Sequence, residues 1–101
     1  MPQVGRTDTF DEWLKALRDL KGRARVDIRI RRLADGNPGD VRPVGKGVSE
    51  LRINTGPGYR VYYAAKGEEI ILLLAGGDKS TQARDIETAL MLWEDWKAAN
   101  P

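Results

Sequence analysis

Apolar and polar residues alternate in short runs along the middle of the chain, which predicts β-strands. Three runs cover residues 48–54, 59–63 and 69–75, and turn sequences rich in Gly and Pro separate them. Connections this short join antiparallel neighbours, so the pattern predicts a three-stranded meander. The third run is apolar from Ile70 to Ala75, which is typical of a central strand covered on both faces. The Gly76-Gly77 pair is expected to end it.

The segment before the meander carries the spacing of two amphipathic helices. Thr9 and Glu12 are expected to form a capping box, and Gly22 is expected to stop the first helix. Its apolar stripe consists of Phe10, Trp13, Leu14, Leu17 and Leu20. The second helix carries Val26, Ile30 and Leu33 and is expected to end at residues 36–39. Together they predict a helical hairpin with its turn near Lys21-Gly22.

The rest of the chain supplies a last helix and two short strands. Ser80 or Thr81 is expected to cap the helix, whose apolar face consists of Ile86, Ala89, Leu90, Trp93 and Trp96. Residues 3–6 are expected to be a short edge strand. Residues 41–44 are expected to be a further short strand, also at a sheet edge because it contains Pro43. The order predicts one α+β domain over residues 1–101, with a helical hairpin packed on a small antiparallel sheet and a C-terminal helix.

Composition removes several classes of chemistry. The 101 residues include no Cys and no His, which excludes disulfides, thiolate metal sites and histidine acid–base catalysis. We expect no cofactor and no metal. The sequence shows no signal-peptide core and no apolar run long enough to span a bilayer, so a cytoplasmic location without membrane contact is expected.

Basic residues concentrate between positions 23 and 46, although the net charge is only +2. This segment contains Arg23, Arg25, Arg29, Arg31, Arg32, Arg42 and Lys46. The asymmetry indicates a polyanion or an acidic partner, and a solvated helix face remains the alternative.

Strand alternation brings a second set of charged residues together. Glu50 and Arg52 share one face of their strand, and Arg60 and Tyr62 share a face of the next. Lys79 follows the third strand at the end of the sheet. The arginines are either a functional cluster or cross-strand neighbours of Glu50 on a solvated face. Tyr62 is placed to stack on a base.

Three motifs together resemble the RelE/ParE superfamily of toxins, and within it the phage-derived Gp49-like, HigB-like addiction module killer proteins. They are Glu50-Leu51-Arg52-Ile53, Gly58-Tyr59-Arg60-Val61-Tyr62-Tyr63 and Gly76-Gly77-Asp78-Lys79-Ser80-Thr81-Gln82. The resemblance implies a RelE-like fold and a type II toxin that cuts mRNA in the ribosomal A site. It also implies a helix-turn-helix (HigA-like) antitoxin, which alone would contact operator DNA.

The resemblance also implies roles for individual residues. Arg60, Arg52 and Lys79 would bind the scissile phosphate, and Lys79 or Glu50 would handle protons as part of the catalytic set. Contacts to RNA are expected from Lys46, Arg29, Arg32, Tyr62 and Gln82. The sequence departs from the family nucleases because no Tyr or His follows Tyr63. Two alternatives therefore stay open: a ParE-like toxin that binds DNA gyrase without catalysis, and an inactive antitoxin-binding co-repressor.

Overall fold

A computed structural model describes residues 2–101, and its elements form an α+β domain around one five-stranded sheet. The strands are β1 Gln3–Arg6, β2 Val41–Gly45, β3 Val48–Ile53, β4 Tyr59–Lys66 and β5 Ile70–Asp78. The helices are α1 Asp8–Ala16, α2 Leu20–Ala34 and α3 Gln82–Ala99, and a 3₁₀ turn, Lys79–Thr81, links β5 to α3. This confirms the predicted fold class, which is compatible with a RelE-like fold.

The sheet has the order β1-β5-β4-β3-β2, and its central part is the predicted meander. Strands β2 to β5 pair antiparallel, whereas β1 pairs parallel with β5 and makes the sheet mixed. The parallel pair is possible because α1, α2 and three strands separate β1 from β5 in the chain. As predicted, β2 with its Pro43 lies at an edge.

Two hydrophobic cores lie on opposite faces of the sheet. The helical hairpin buries Phe10, Leu14, Val26 and Leu33 on one face, as the predicted stripes require. Helix α3 covers the other face with a core that includes Tyr62, Ala89 and Trp93. Trp93 and Trp96 stack with their ring centroids 5.5 Å apart, which confirms Trp93 as a core residue. Both faces of β4 and β5 are therefore covered.

The helical hairpin begins and turns at different residues from those predicted. Thr7, not Thr9, caps α1 by accepting a hydrogen bond from the amide of Phe10. Helix α1 ends at Ala16, so Leu20 falls outside its stripe and is 76% exposed. Asp19 caps α2 by accepting from the amide of Gly22, which places that glycine in the first turn of α2 rather than at a helix stop.

The Gly76-Gly77 pair does not end β5, because the strand continues to Asp78. A side chain at Gly76 would collide with the ring of Trp13 on α1, and one at Gly77 would collide with the carboxylate of Asp85 on α3. The pair therefore allows a helix to approach closely on each face of the strand.

Helices long and apolar enough to cross a bilayer do not occur within residues 2–101.

Candidate functional site

Three basic residues singled out in the sequence meet at one end of the sheet. Arg52 on β3 lies opposite Arg60 on β4, which in turn pairs with Gly77 on β5. Lys79 follows two residues later, and its side chain passes so close to Gly58 that a Cβ there would lie 2.9 Å from it. Gly58 has a φ of +80°, a conformation that also favours glycine. The predicted convergence is therefore present, and we call this end of the sheet the basic end.

Arg60 is buried at the basic end, with only 2% of its surface exposed. Its Nη1 donates to the carbonyl oxygens of Gly58 and Tyr59 at 3.2 and 3.0 Å. Its Nε lies 3.7 Å from Oε1 of Glu50. The guanidinium of Arg60 is thus closed to solvent in this conformation, because α3 covers the face on which it lies. Its contact with a substrate phosphate stays a prediction.

Glu50 is the acidic centre of this buried cluster and is 1% exposed. Gln82, at the start of α3, donates through Nε2 to Oε2 of Glu50 at 2.7 Å. The Nε of Arg52 lies 3.9 Å from the other carboxylate oxygen. The amide of Gln82 is thus bound to Glu50 in this conformation, and its contact with RNA stays a prediction. Arg52 and Arg60 are cross-strand neighbours beside Glu50, as the alternative to a functional cluster predicts, but Glu50 and Arg60 are buried rather than solvated.

Tyr62 lies in the same buried layer and is closed to solvent in this conformation. Its side chain is fully buried beneath α3, and its hydroxyl makes no hydrogen bond. Burial, together with the neighbouring Glu50 carboxylate, raises the pKa of the Tyr62 phenol. Strand alternation indicates which residues share a face but not whether a helix covers it, so the burial of Tyr62 could not be predicted, and its RNA contact stays a prediction.

Only two members of the predicted catalytic set reach solvent. The side chain of Arg52 is 32% exposed, and Lys79 is exposed in the turn before α3. Asp78 stabilises this turn by accepting from the amide and hydroxyl of Ser80 at 2.8 and 2.6 Å. Asp78 therefore forms the turn that presents Lys79.

Arg29, predicted to contact RNA, is instead bound to the backbone. It donates to the carbonyl oxygen of Arg52 at 2.6 Å, of Pro38 at 2.9 Å and of Asp40 at 3.3 Å. Desolvation by burial lowers the pKa of Arg29; the Asp40 carboxylate opposes this effect, and the positive charge of Arg32 adds to it. Arg29 thus joins α2 to the end of β3 and to the segment before β2.

A surface cleft of about 300 Å³ opens next to Arg29, on the side of the sheet covered by the helical hairpin. It is lined by Arg25, Arg29, Arg32, Gly39, Asp40, Ile53, Asn54 and Thr55. Arg32, predicted to contact RNA, lies here, together with Arg25, which the sequence analysis did not single out. We call this surface the arginine cleft.

Lys46 lies apart from the other predicted RNA contacts. It occupies the turn between β2 and β3 with a φ of +52°, followed by Gly47 at +88°, as in a type I′ hairpin. Arg52 is six residues further along the chain, which corresponds to about 20 Å of extended strand. Lys46 and the basic end therefore do not form one contact surface.

The contact between Asp19 and Tyr59 was missed by the sequence analysis. The Tyr59 hydroxyl donates to Oδ2 of Asp19 at 2.8 Å and so ties β4 to the start of α2. The hydrogen bond from the Gly22 amide is the largest cause that lowers the pKa of Asp19, followed by that from Tyr59. An Asp three residues before Gly22 is a recognisable helix cap, but its partner on β4 carries no local signal.

Groups of three or more acidic side chains that could hold a metal ion do not occur within residues 2–101. The basic end offers hydrogen-bond donors and positive charge, with the buried carboxylate of Glu50 behind them.

Comparisons with known proteins identify the family. The model of the family described as "Phage derived protein Gp49-like (DUF891)" matches residues 12–94. An uncharacterized protein of Haemophilus influenzae (strain Rd) is 46% identical over 93 residues, which cover 92% of this chain and 94% of that protein. The family match spans α1 to α3 and includes both the basic end and the arginine cleft. The chain therefore belongs to the Phage derived protein Gp49-like family.

Proposed function

We propose that this chain is the toxin of a type II toxin–antitoxin pair and acts as a ribosome-dependent mRNA endonuclease. The observation that carries the proposal is the meeting of Arg52, Arg60 and Lys79 at one end of the sheet, with Arg52 and Arg60 beside the carboxylate of Glu50 and Lys79 against Gly58. Membership of the Gp49-like family supports the toxin assignment. The proposal places the protein in the RelE/ParE superfamily, close to its HigB-like members, and in the cytoplasm.

The proposed reaction is cleavage of RNA by its own 2′-hydroxyl. It requires a base for that hydroxyl, positive charge for the phosphorane and an acid for the leaving 5′-oxygen. The solvent-exposed Arg52 and Lys79 contact the phosphate, because a guanidinium fork and an ammonium both suit phosphate oxygens.

Lys79 is the better placed of the two proton-transfer candidates. Glu50 is buried and already accepts from Gln82, whereas Lys79 is exposed beside the turn at Gly58. Arg60 acts through Glu50 as a positioning residue: it lies 3.7 Å from the carboxylate that also neighbours Arg52.

The proposed partners follow from the same assignment. A helix-turn-helix antitoxin of the HigA-like kind neutralises the toxin and supplies all contacts to operator DNA. The ribosome presents the mRNA, so cleavage depends on translation.

Induction of the chain in cells that lack an antitoxin tests the proposal, with mRNA 5′ ends mapped across the transcriptome. We expect new mRNA 5′ ends at in-frame codon positions. In the Arg52→Gln/Lys79→Gln variant, the rate of mRNA cleavage should fall by about 10²-fold or more. The matched control is Lys15→Gln/Arg18→Gln, which removes one lysine and one arginine from exposed positions next to the helix turn. Cleavage at the wild-type rate in the Arg52→Gln/Lys79→Gln variant would contradict the assignment.

A second candidate is a non-catalytic toxin that binds DNA gyrase. The burial of Arg60 and Glu50 favours it, because neither side chain reaches a substrate in this conformation. Growth arrest with DNA breaks and intact mRNA would identify this activity. Absence of growth arrest would instead indicate the inactive antitoxin-binding co-repressor.

A further inference from the structure

The arginine cleft presents positive charge on one ridge of α2. Arg25, Arg29 and Arg32 are four and three residues apart, so their side chains lie on the same face of the helix. The rest of the lining includes Asn54 and Thr55, in the connection between β3 and β4, and Gly39 and Asp40, before β2. Three guanidinium groups thus line an open cleft together with one carboxylate, that of Asp40, and with an amide and a hydroxyl side chain.

The three arginines differ in what they already bind. Arg29 lines the cleft but is held by three backbone carbonyl oxygens. Across residues 2–101, neither Arg25 nor Arg32 forms an ion pair with an acidic side chain. The charge of Arg32 lowers the pKa of Arg29, but the Asp40 carboxylate raises it and has the larger effect, so Asp40 already compensates Arg29 within the cleft.

We infer that the arginine cleft binds a phosphate of a single-stranded RNA backbone, with Arg25 and Arg32 as its ligands. Arginine forks meet phosphate oxygens with two parallel hydrogen bonds, and Asn and Thr side chains commonly contact phosphate and sugar. An acidic protein segment fits less well, because anchoring it needs apolar surface, and Ile53, the apolar residue of the lining, is 2% exposed.

The lining also determines what the cleft does not read. It contains no aromatic side chain on which a base could stack. Binding is therefore independent of sequence and sensitive to salt, since it arises from phosphate neutralisation.

The cleft and the catalytic candidates share one end of the sheet. Residues 54–58 connect β3 to β4, with Asn54 and Thr55 in the cleft and Gly58 against Lys79. An RNA strand held in the cleft can continue over this connection towards Arg52 and Lys79. The inference rests on the proposed function only for the choice of RNA as the polyanion.

Fluorescence anisotropy with a short labelled single-stranded RNA tests the cleft without any cleavage. We expect Arg25→Gln/Arg32→Gln to weaken binding about tenfold or more at low salt. The slope of log affinity against log salt should become shallower by roughly 0.7, the value for one lost phosphate contact on a single strand. The matched control is Arg23→Gln/Arg31→Gln, which removes the same charge from α2 outside the cleft lining.

Several outcomes decide the inference. Equal losses in the two double variants, with coincident unfolding curves, would overturn it, because net charge alone would then explain binding. Displacement of the RNA by polyglutamate at equal charge concentration would also overturn it. Single-stranded DNA of the same sequence should bind about as tightly, because the cleft contacts backbone phosphate and the choice of RNA comes from the proposed function.

The two proposals can fail separately. Retained cleavage in Arg52→Gln/Lys79→Gln would contradict the nuclease assignment while leaving the binding result intact. If Arg25→Gln/Arg32→Gln cleaves mRNA and binds RNA like the wild type, the result would contradict the phosphate site in the arginine cleft and leave the nuclease assignment intact.

Discussion

The buried cluster around Glu50 and the arginine cleft show the same side chain in two opposite settings at one end of the sheet. Under α3, Arg60 donates to two carbonyl oxygens and faces a carboxylate that is itself bound to Gln82. Beside α2, Arg25 and Arg32 line an open cleft and have no acidic partner across residues 2–101. The first setting fixes the fold, and the second is available to a ligand.

The difference shows that the neighbours of an arginine decide its role more than its strand or helix does. Arg29 lies in the cleft, yet its three carbonyl contacts make it resemble Arg60 rather than Arg32. A buried cation without such partners would be costly, so the buried arginines are the ones with fixed contacts. Substitutions at matched positions can therefore separate arginines that stabilise from arginines that bind.

The largest effect is expected from Glu50→Gln. The substitution leaves the buried Arg60 cation without its counter-charge and should lower the free energy of unfolding by about 3 kcal/mol. Urea denaturation at neutral pH measures the change.

The control for this prediction is Glu94→Gln, which removes an exposed carboxylate 3.0 Å from Lys97 on α3. An exposed pair contributes little, so a change of at most about 0.5 kcal/mol is expected. Equal stability losses in the two variants would mean that the Glu50 cluster does not depend on its charge.

Sequence patterning was sufficient for the fold because strands and helices carry local signals. The alternating runs gave the meander, and the apolar spacing placed Phe10, Leu14, Val26 and Leu33 in the core. The same patterning also predicted that Arg52, Arg60 and Lys79 lie at one end of the sheet. The parallel pairing of β1 with β5 was missed, since pairing between distant segments has no local signal.

Patterning was insufficient for the site because it does not reveal which face a helix covers. Arg60 and Tyr62 share a face with Glu50 as predicted, but that face lies beneath α3. The role of Arg29 was hidden for a related reason: its partners are carbonyl oxygens, which every sequence contains. The lining of the arginine cleft likewise combines α2 with two distant connections.

The next largest effect separates two arginines of the cleft itself. Arg29→Gln removes hydrogen bonds from a charged donor to three carbonyl oxygens and should cost about 2 kcal/mol of stability. Arg32 is exposed on the same face of α2, so Arg32→Gln should change stability by at most about 0.5 kcal/mol. Urea denaturation of both variants checks the pair. A larger loss of stability for Arg32→Gln than for Arg29→Gln would show that Arg32, not Arg29, holds α2 against the sheet.

A smaller effect compares two tyrosines, one on each face of the sheet. Tyr62→Phe removes a hydroxyl without a hydrogen bond, so stability at neutral pH should change little. Tyr59→Phe breaks the bond to Asp19 and should cost about 1 kcal/mol. Urea midpoints of the two variants measure the difference, and a greater loss for Tyr62→Phe would contradict the contact assignment.

The same tyrosines make a prediction for alkaline solution. Burial raises the pKa of both phenols above their ordinary value of 10.0. The folded state therefore holds these protons more tightly, and the stability they contribute is complete below pH 10.0 and lost as pH rises through the folded pKa. Tyr62→Phe should reduce this alkaline loss, as urea midpoints across the alkaline range would show. An unchanged loss would mean that the Tyr62 phenol reaches solvent.

The smallest effect concerns the free energy of unfolding at acid pH and the Asp19 carboxylate at the start of α2. The Gly22 amide and the Tyr59 hydroxyl lower the pKa of Asp19 below its ordinary value of 3.8. A carboxyl with a depressed folded pKa stabilises the fold above pH 3.8, and this contribution disappears as pH falls through the folded value. Asp19→Asn should therefore flatten the dependence of the unfolding free energy on pH in this window. Asparagine also caps helices, so stability at neutral pH should change little. Tyr59→Phe should flatten the same pH dependence only partly, because the Gly22 amide remains and lowers the pKa of the Asp19 carboxylate more than Tyr59 does. An Asp19→Asn variant with the wild-type acid slope would show that the start of α2 is held by packing alone.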